Sequence, residues 1–271
     1  MSNQDKAGAD YWTSFWKQTK LPEPFNFNSG KLNDYPAKLL HSLFTKIVEG
    51  KSGSDIKFLE IGCGNSVFLP YFAQNYGFSI YGLDYSEFAC KQSEKILERE
   101  GTPGTITQGD AFNPPSDMIE KFDIVCSLGV VEHFEDTAGT LKAFARFVKP
   151  GGILITSIPN LVGVTGFLQK IMNKPVYDIH VPMDKNQLEQ AIRKAGLELK
   201  FSEYFLAISF AVTLEGKEGA QVSNLAMKKL VLKTIRYTSK LIWVLENKLR
   251  PLPAGKLLSG GIITSAIKKN H

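Results

Sequence analysis

At 271 residues, with 43% hydrophobic and 22% charged side chains, the chain is long enough to bury one substantial core and is not composed like a disordered tail. Its net charge of +5 is concentrated: from residue 201 onward 11 Lys and Arg stand against 4 Asp and Glu. Cys63, Cys90 and Cys126 are odd in number and lack C-x-x-C spacing, which fits reduced thiols in a cytoplasm and not a disulfide framework.

The start, MSNQDKAGAD, has no apolar signal core, and the longest apolar-looking stretch, Tyr204 to Leu214, is too short to span a bilayer, so a cytoplasmic location is expected. Next, YWTSFW places Tyr11 with Phe15 and Trp12 with Trp16 at i, i+4 spacing, the pattern of a helix packed on a core. Lys57 to Ile61 is a short apolar run suited to a parallel strand, and Gly62 and Gly64 let the backbone turn sharply where a β-carbon would intrude. A helix is expected over Val67 to Tyr76, with Pro70 tolerable only in its first turn. Ser79 to Asp84 is a second strand ending in a carboxylate, 24 residues after Glu60, and an acid there is placed to grip a ribose diol.

Glu87 to Arg99 is a helix with a charged outer face. Ile106 to Phe112 is a third strand with Asp110 near its end, and Asn113-Pro114-Pro115 after it is a turn. Lys121 to Asp136 carries a fourth strand into a helix start, and Asp136 to Val148 is a helix capped by Asp136. Phe147 to Asn160 is a helix end, a Gly-Gly turn and a fifth strand. Lys185 to Ala195, with Asp184 as N-cap and Gly196 as stop, precedes an alternating sixth strand, Leu197 to Tyr204. Gly260 to Lys269 is a last strand, expected at an antiparallel edge.

Between these lies an insert, roughly Val212 to Pro253, in which Ser223 to Arg250 reads as one long helix or two. Met227, Leu230, Val231, Ile235, Leu241, Ile242, Leu245 and Leu249 share one face, and Lys229, Lys233, Arg236 and Lys240 cluster opposite. Such a helix caps the domain with a solvated basic face, the preferred reading, or touches an anionic membrane or acidic partner. Nucleic acid is not expected, because the basic residues are not interleaved with aromatics suited to stacking.

A glycine turn followed by an acid also describes NAD binding, but Gly62, Gly64, Val67 lacks the third glycine of G-x-G-x-x-G. From about Phe58 to Phe205 the chain instead resembles the class I S-adenosylmethionine-dependent methyltransferases, through FLEIGCGNS, SIYGLD, ITQGDAF, KFDIVCSLGVVEHFED and FVKPGGILITSIPN in that order. One departure is Ser66, where many members carry a third glycine. The resemblance implies an α/β, Rossmann-like fold: a seven-stranded, mostly parallel sheet flanked by helices, with a helical insert before the last strand. It divides one domain into an amino-terminal helical lid (1–50), a cofactor-binding core (51–211), the insert (212–256) and the last strand (257–271).

Carried over residue by residue, the resemblance puts Glu60, Gly62, Cys63 and Gly64 around the methionine part of the cofactor, Asp84 on the ribose and Tyr85 on the adenine face. Asp110 and Ala111 would meet the adenine edge, Leu128 the methionine amino group, and Tyr11 and Trp16 would belong to an aromatic lid. Methyl transfer is an in-line displacement in which alignment supplies much of the rate, and a hydroxyl nucleophile also needs a base. Of four histidines, His133 and His180 are the candidates; His41 and His271 have no comparable context. Glu132 either orients His133 or binds a metal, but one Glu-His pair is weak support for a metal and none is assigned. The expected acceptor is a small molecule, lipid-linked, sugar or secondary-metabolite, methylated on oxygen ahead of nitrogen or carbon, with S-adenosyl-L-homocysteine as the product. A non-catalytic cofactor-binding accessory protein is the alternative.

Overall fold

In the computed structural model, residues 5–28, 31, 34–214 and 224–270 are described. The alternation of short apolar runs with amphipathic segments builds a single seven-stranded sheet in the order β3-β2-β1-β4-β5-β7-β6. Its strands are β1 (Lys57–Ile61), β2 (Ser79–Asp84), β3 (Gly104–Gln108), β4 (Phe122–Leu128), β5 (Val148–Pro159), β6 (Glu198–Phe205) and β7 (Gly261–Ile267). Pairing is parallel from β3 through β5, and β7 is antiparallel to both β5 and β6. The last strand was expected at an edge; it lies inside the sheet, because Ile262, Ile263 and Ala266 are fully apolar and buried, and β6 takes the edge.

Successive strand residues point to opposite faces, so each face needs its own cover. Phe58, Ile80, Ile124, Cys126 and Ile155 meet Phe44 and Val48 near the end of α2 (Tyr35–Ile47), Leu69 and Phe72 of α3 (Phe68–Tyr76), and Leu97 of α4 (Glu87–Arg99). On the other face, Leu59, Leu83, Val125 and Leu154 meet Leu141 and Phe144 of α5 (Thr137–Phe144), and Leu188 and Ile192 of α8 (Lys185–Lys194). Burying a side chain such as Phe58 or Phe144 contributes about 1.5–3 kcal/mol. Of the described residues before β1, Phe44 is fully buried in the sheet's core, whereas α1 (Ala9–Gln18) carries Trp12 and Trp16 at the carboxyl ends of the strands.

Helix starts follow their caps. Ser86 accepts from Ala89 N–H, Asp136 from Gly139 N–H, and Asp184 and Gln187 close a reciprocal capping box on α8. Pro70 falls in the first turn of α3, where it removes no needed donor.

The insert is one helix, α9 (Leu225–Lys248), as far as it is described; Ser223, where it was expected to start, lies outside the described residues. Its placement corrects the expectation. The face turned to the protein carries Leu232, Ser239 and Glu246, with the Trp243 indole donating to Ile208 O at 3.0 Å. Most of the apolar face read from the sequence is in solvent: Leu230 is 65% exposed, Leu241 66% and Leu249 81%. The neighbouring segment captured the helix through polar anchors, Arg236 Nη2 to Val212 O at 2.6 Å among them, and not through that stripe.

Candidate active site

Strand order reverses between β1 and β4, and in open α/β sheets ligands bind at the carboxyl ends of the strands flanking such a point. Register lines those ends up, with Ile61 opposite Leu83 on one side and Ser127 on the other. Gly62 follows β1 with φ +70°, and a β-carbon there would lie 2.6 Å from Val130 Cγ2 in the turn after β4. Only glycine holds that floor.

Asp84, at the end of β2, is built in. Its Oδ2 accepts from Gly64 N–H at 3.0 Å and its Oδ1 from Ser86 N–H at 2.8 Å, leaving each oxygen a lone pair for further donors. Burial raises its pKa while those two backbone bonds oppose the rise. Glu60 is buried and pushed up to about 8, chiefly by desolvation, against a 2.6 Å bond from Ser66 Oγ. Ser66 thus has a purpose at the position where a third glycine is common: its hydroxyl joins Glu60 to Phe68 N–H at the start of α3.

The amino-terminal segment crosses this floor. Asp5 Oδ2 accepts from Trp12 Nε1 at 2.9 Å and from Tyr85 Oη at 2.8 Å, and Gln92 Nε2 on α4 holds Trp16 O at 3.0 Å. Trp16 lies on the turn so closely that a β-carbon on Gly64 would be 2.7 Å from its Cζ2. Two recesses result. An inner cavity of about 70 Å³ lies between Gly62, Asp84, Trp16 and His133; an outer one of about 380 Å³ lies between Tyr85, Asp110 and Phe112. Asp5 and Tyr85 border both. The outer recess falls within the range of roughly 300–1,000 Å³ typical of ligand sites, and the inner one is far below it.

Trp16, Gly62, Asp84, Tyr85, Asp110 and His133 of the sequence candidates therefore border the two recesses. Gly64 lies directly beneath Trp16. Tyr11 does not border them: it is buried, and its ring packs edge-on to Trp12 and stacks with Phe15. Cys63 is buried beneath the turn, with its thiol pushed well up by burial, and Leu128 packs in the core. Ala111 packs against the opposite core cluster. Asp5, Trp12, Val130 and Phe134 were not singled out as site residues; for Trp12, the i, i+4 aromatic pairing was the available signal.

At the inner end, β4 runs into a 3₁₀ turn, Val131–His133. His180 follows the short helix α7 (Lys174–Asp178), and two links clamp the strands of chain together: His133 Nδ1 donates to Ile179 O at 2.9 Å, and Val181 N–H to Glu132 O at 2.6 Å. The two imidazoles are 4.5 Å apart, centre to centre. His180 Nδ1 donates to Val176 O at 2.6 Å. A carbonyl only accepts, so both rings carry their proton on Nδ1 and present Nε2 as a lone pair. Burial lowers both pKa values, that of His180 to about 4 with help from His133, so both rings are neutral. Glu132 is 2% exposed, pushed up to about 8 by burial, and its Oε2 has no hydrogen-bond partner. One Glu-His pair in sequence thus becomes a Glu-His-His group in space.

Comparison with known proteins agrees with the fold. Residues 59–156 match the family model of the methyltransferase domain. The ubiquinone biosynthesis O-methyltransferase of Pseudomonas aeruginosa (strain LESB58) is 30% identical over 152 residues, which cover 53% of this chain and 65% of that protein. The chain thus matches just under two thirds of that relative's length. Phosphoethanolamine N-methyltransferase 2 of Haemonchus contortus, solved with S-adenosyl-L-methionine, superimposes with a TM-score of 0.59 at 15% identity, covering 90% of this chain and 55% of that one. Geranyl diphosphate C-methyltransferase from Streptomyces coelicolor A3(2) gives 0.59 at 9% identity, covering 95% and 96%. Residues 59–156 thus match a methyltransferase domain, and the strand order and β1–β4 crevice give the chain the fold of the class I, Rossmann-like S-adenosylmethionine-dependent methyltransferases.

Proposed function

We propose that this protein transfers a methyl group from S-adenosyl-L-methionine to a small-molecule acceptor, on oxygen ahead of nitrogen or carbon. The observation that carries this is the inner cavity shared by His133 and the Gly62 turn, with His180 and Glu132 beside His133. The donor set fits the cofactor. Asp84 has lone pairs for ribose hydroxyls, Tyr85 and Phe112 offer rings beside Asp110 for an adenine, and the Gly62 floor admits a close backbone approach. The cofactor supplies the sulfonium methyl; the chain's own residues align the acceptor, exclude water and take its proton. The neutral Nε2 of His133 is the proton acceptor on the cavity wall, and His180 packs behind it.

Calorimetric titration with S-adenosyl-L-homocysteine, beside Asp84→Ala and an NAD control, tests this. Binding lost in the variant supports it; preference for NAD removes it. The packing of Trp16 on Gly64 favours a second reading, a protein that binds the cofactor without turning it over. Methyl transfer to any hydroxyl acceptor in a substrate screen decides between them.

We also infer that α9 rests on an anionic membrane surface, which suits a lipid-linked acceptor. Its stripe of Met227, Leu230, Leu241, Leu245 and Leu249 is exposed, and Lys229, Lys233 and Lys240 lie on a separate sector of the same helix beside Arg236, which is tied to Val212 O. Glu246, its sole acid, is buried, and no lysine or arginine of the helix makes a salt bridge among the described residues. A second copy would set like charges against each other, whereas anionic headgroups complement them.

A further inference from the structure

His133, on the wall of the inner cavity, belongs to a cluster of three side chains whose arrangement asks more of them than proton transfer. Glu132, His133 and His180 each offer one ligand atom, and the three atoms lie within 4.8 Å of one another. Each imidazole is fixed from behind by a backbone carbonyl on Nδ1, Ile179 O for His133 and Val176 O for His180. That is how a metal-binding histidine is oriented, one ring nitrogen anchored on a carbonyl and Nε2 left with its lone pair for a ligand. The carboxylate is the second, independent sign. Glu132 is almost wholly buried, its Oε2 is orphaned, and no lysine or arginine pairs with it among the described residues. An orphaned, buried carboxyl oxygen is costly, and a bound cation is a partner that would satisfy it.

We infer that Glu132, His133 and His180 bind one divalent ion of the zinc class. Two imidazoles and a carboxylate are a borderline-to-hard donor set that suits zinc, and three protein ligands leave a coordination position open. His133 borders the inner cavity, so that open position faces the acceptor's place, and its occupant is an oxygen donor such as a hydroxyl. Ligand distances of about 2.0–2.2 Å require the three side chains to draw inward by small rotations. Lys6 lies near the group with its Nζ on the His180 carbonyl at 3.3 Å, and, after burial, its charge helps to keep both rings neutral. With the ion in place His133 would be a ligand and would no longer serve as the base of the proposed transfer; the ion would take over that task by making a coordinated hydroxyl more acidic, its proton passing to bulk water. This inference rests on the proposed methyl transfer for its meaning, but the ion's binding does not.

The test uses the full chain, untagged, stripped with EDTA and titrated with Zn²⁺ by calorimetry, and with Co²⁺ by visible absorption. Trp12, whose ring stands edge-on to His133 with centroids 4.8 Å apart, supplies a fluorescence signal. Expected are one ion per chain, a d–d spectrum of a low-coordinate cobalt site, and binding weakened at least about a hundredfold in both Glu132→Gln and His180→Ala. Glu132→Gln keeps the shape of the buried side chain and serves as the variant that folds, with thermal unfolding in EDTA as the control. Wild-type protein that binds S-adenosyl-L-homocysteine but no Zn²⁺, or variants that bind Zn²⁺ as the wild type does, overturn the inference alone. Loss of S-adenosyl-L-homocysteine binding with Zn²⁺ binding intact overturns the methyltransferase proposal instead.

Discussion

Trp16 and Gly64 are in direct contact: the indole occupies the space a side chain at 64 would take, 2.7 Å from Cζ2 to a notional β-carbon. The helix over the site therefore fills part of it, which predicts that α1 swings outward as a ligand enters the inner cavity. Trp16→Ala is expected to speed association of S-adenosyl-L-homocysteine several-fold, read by stopped-flow fluorescence of Trp12. An association rate equal to wild type means that α1 does not gate the cleft.

Gly62 is under two constraints at once, φ +70° and a 2.6 Å approach to Val130. Gly62→Ala is expected to cost about 1–3 kcal/mol, a fall of several degrees in Tm for a chain this size, and to abolish cofactor binding. Gly196, with φ +84° and nothing within 4 Å of a β-carbon, is the control: Gly196→Ala carries the backbone strain without the clash and leaves binding unchanged.

Stability should fall as pH rises. Glu60 ordinarily ionises near 4.5 and does so at about 8 in the folded chain, so between those values the folded state binds more protons than the unfolded one. Its contribution is complete below pH 4.5 and is lost as pH passes through 8, on the order of 1.4 kcal/mol for each unit between. Glu60→Gln is expected to flatten the decline of Tm from pH 5 to pH 8.5 in EDTA. Glu132, raised for the same reason, leaves a residual slope. An unchanged slope in the variant would show that Glu60 is ionised in the folded protein.

Leu241 and Leu245 contribute little to folding, since both are mostly exposed. Leu241→Ser with Leu245→Ser should leave the folding free energy within about 1 kcal/mol of wild type, yet abolish co-sedimentation with vesicles containing phosphatidylglycerol. Binding to neutral phosphatidylcholine vesicles should be weak from the start, and added salt should weaken the anionic case. Equal binding to both vesicle types removes the electrostatic part of the proposal.

Much of the cofactor cleft was legible because glycines and acids at strand ends are local features. Gly62 stands in the nine-residue run Phe58 to Ser66 and Asp84 closes the next strand, and Glu87 to Arg99 matched α4 to the residue, with Ser86 as its cap. What was not legible depended on contacts between distant segments. Nothing near Asp5 in sequence says that it will join Trp12 to Tyr85, and His180 reaches His133 only through the links at Ile179 and Val181. The face of α9 was misread for the same reason: periodicity identifies an apolar stripe, but what lies opposite the helix decides whether that stripe is covered. Here polar groups, including Trp243 and Arg236, turned it away.

The position of β7 has a consequence for how the chain is made. β5 and β6 both leave the ribosome before it, separated from it by the whole of α9, and neither pairs with the other in the finished sheet. Until Gly261–Ile267 arrives, β5 presents an open apolar edge and β6 has no partner at all. A polypeptide halted between residues 206 and 260 therefore carries two sticky edges and is a client for chaperones or a seed for aggregation. Synthesis of the last strand is the moment at which the nascent sheet zips shut.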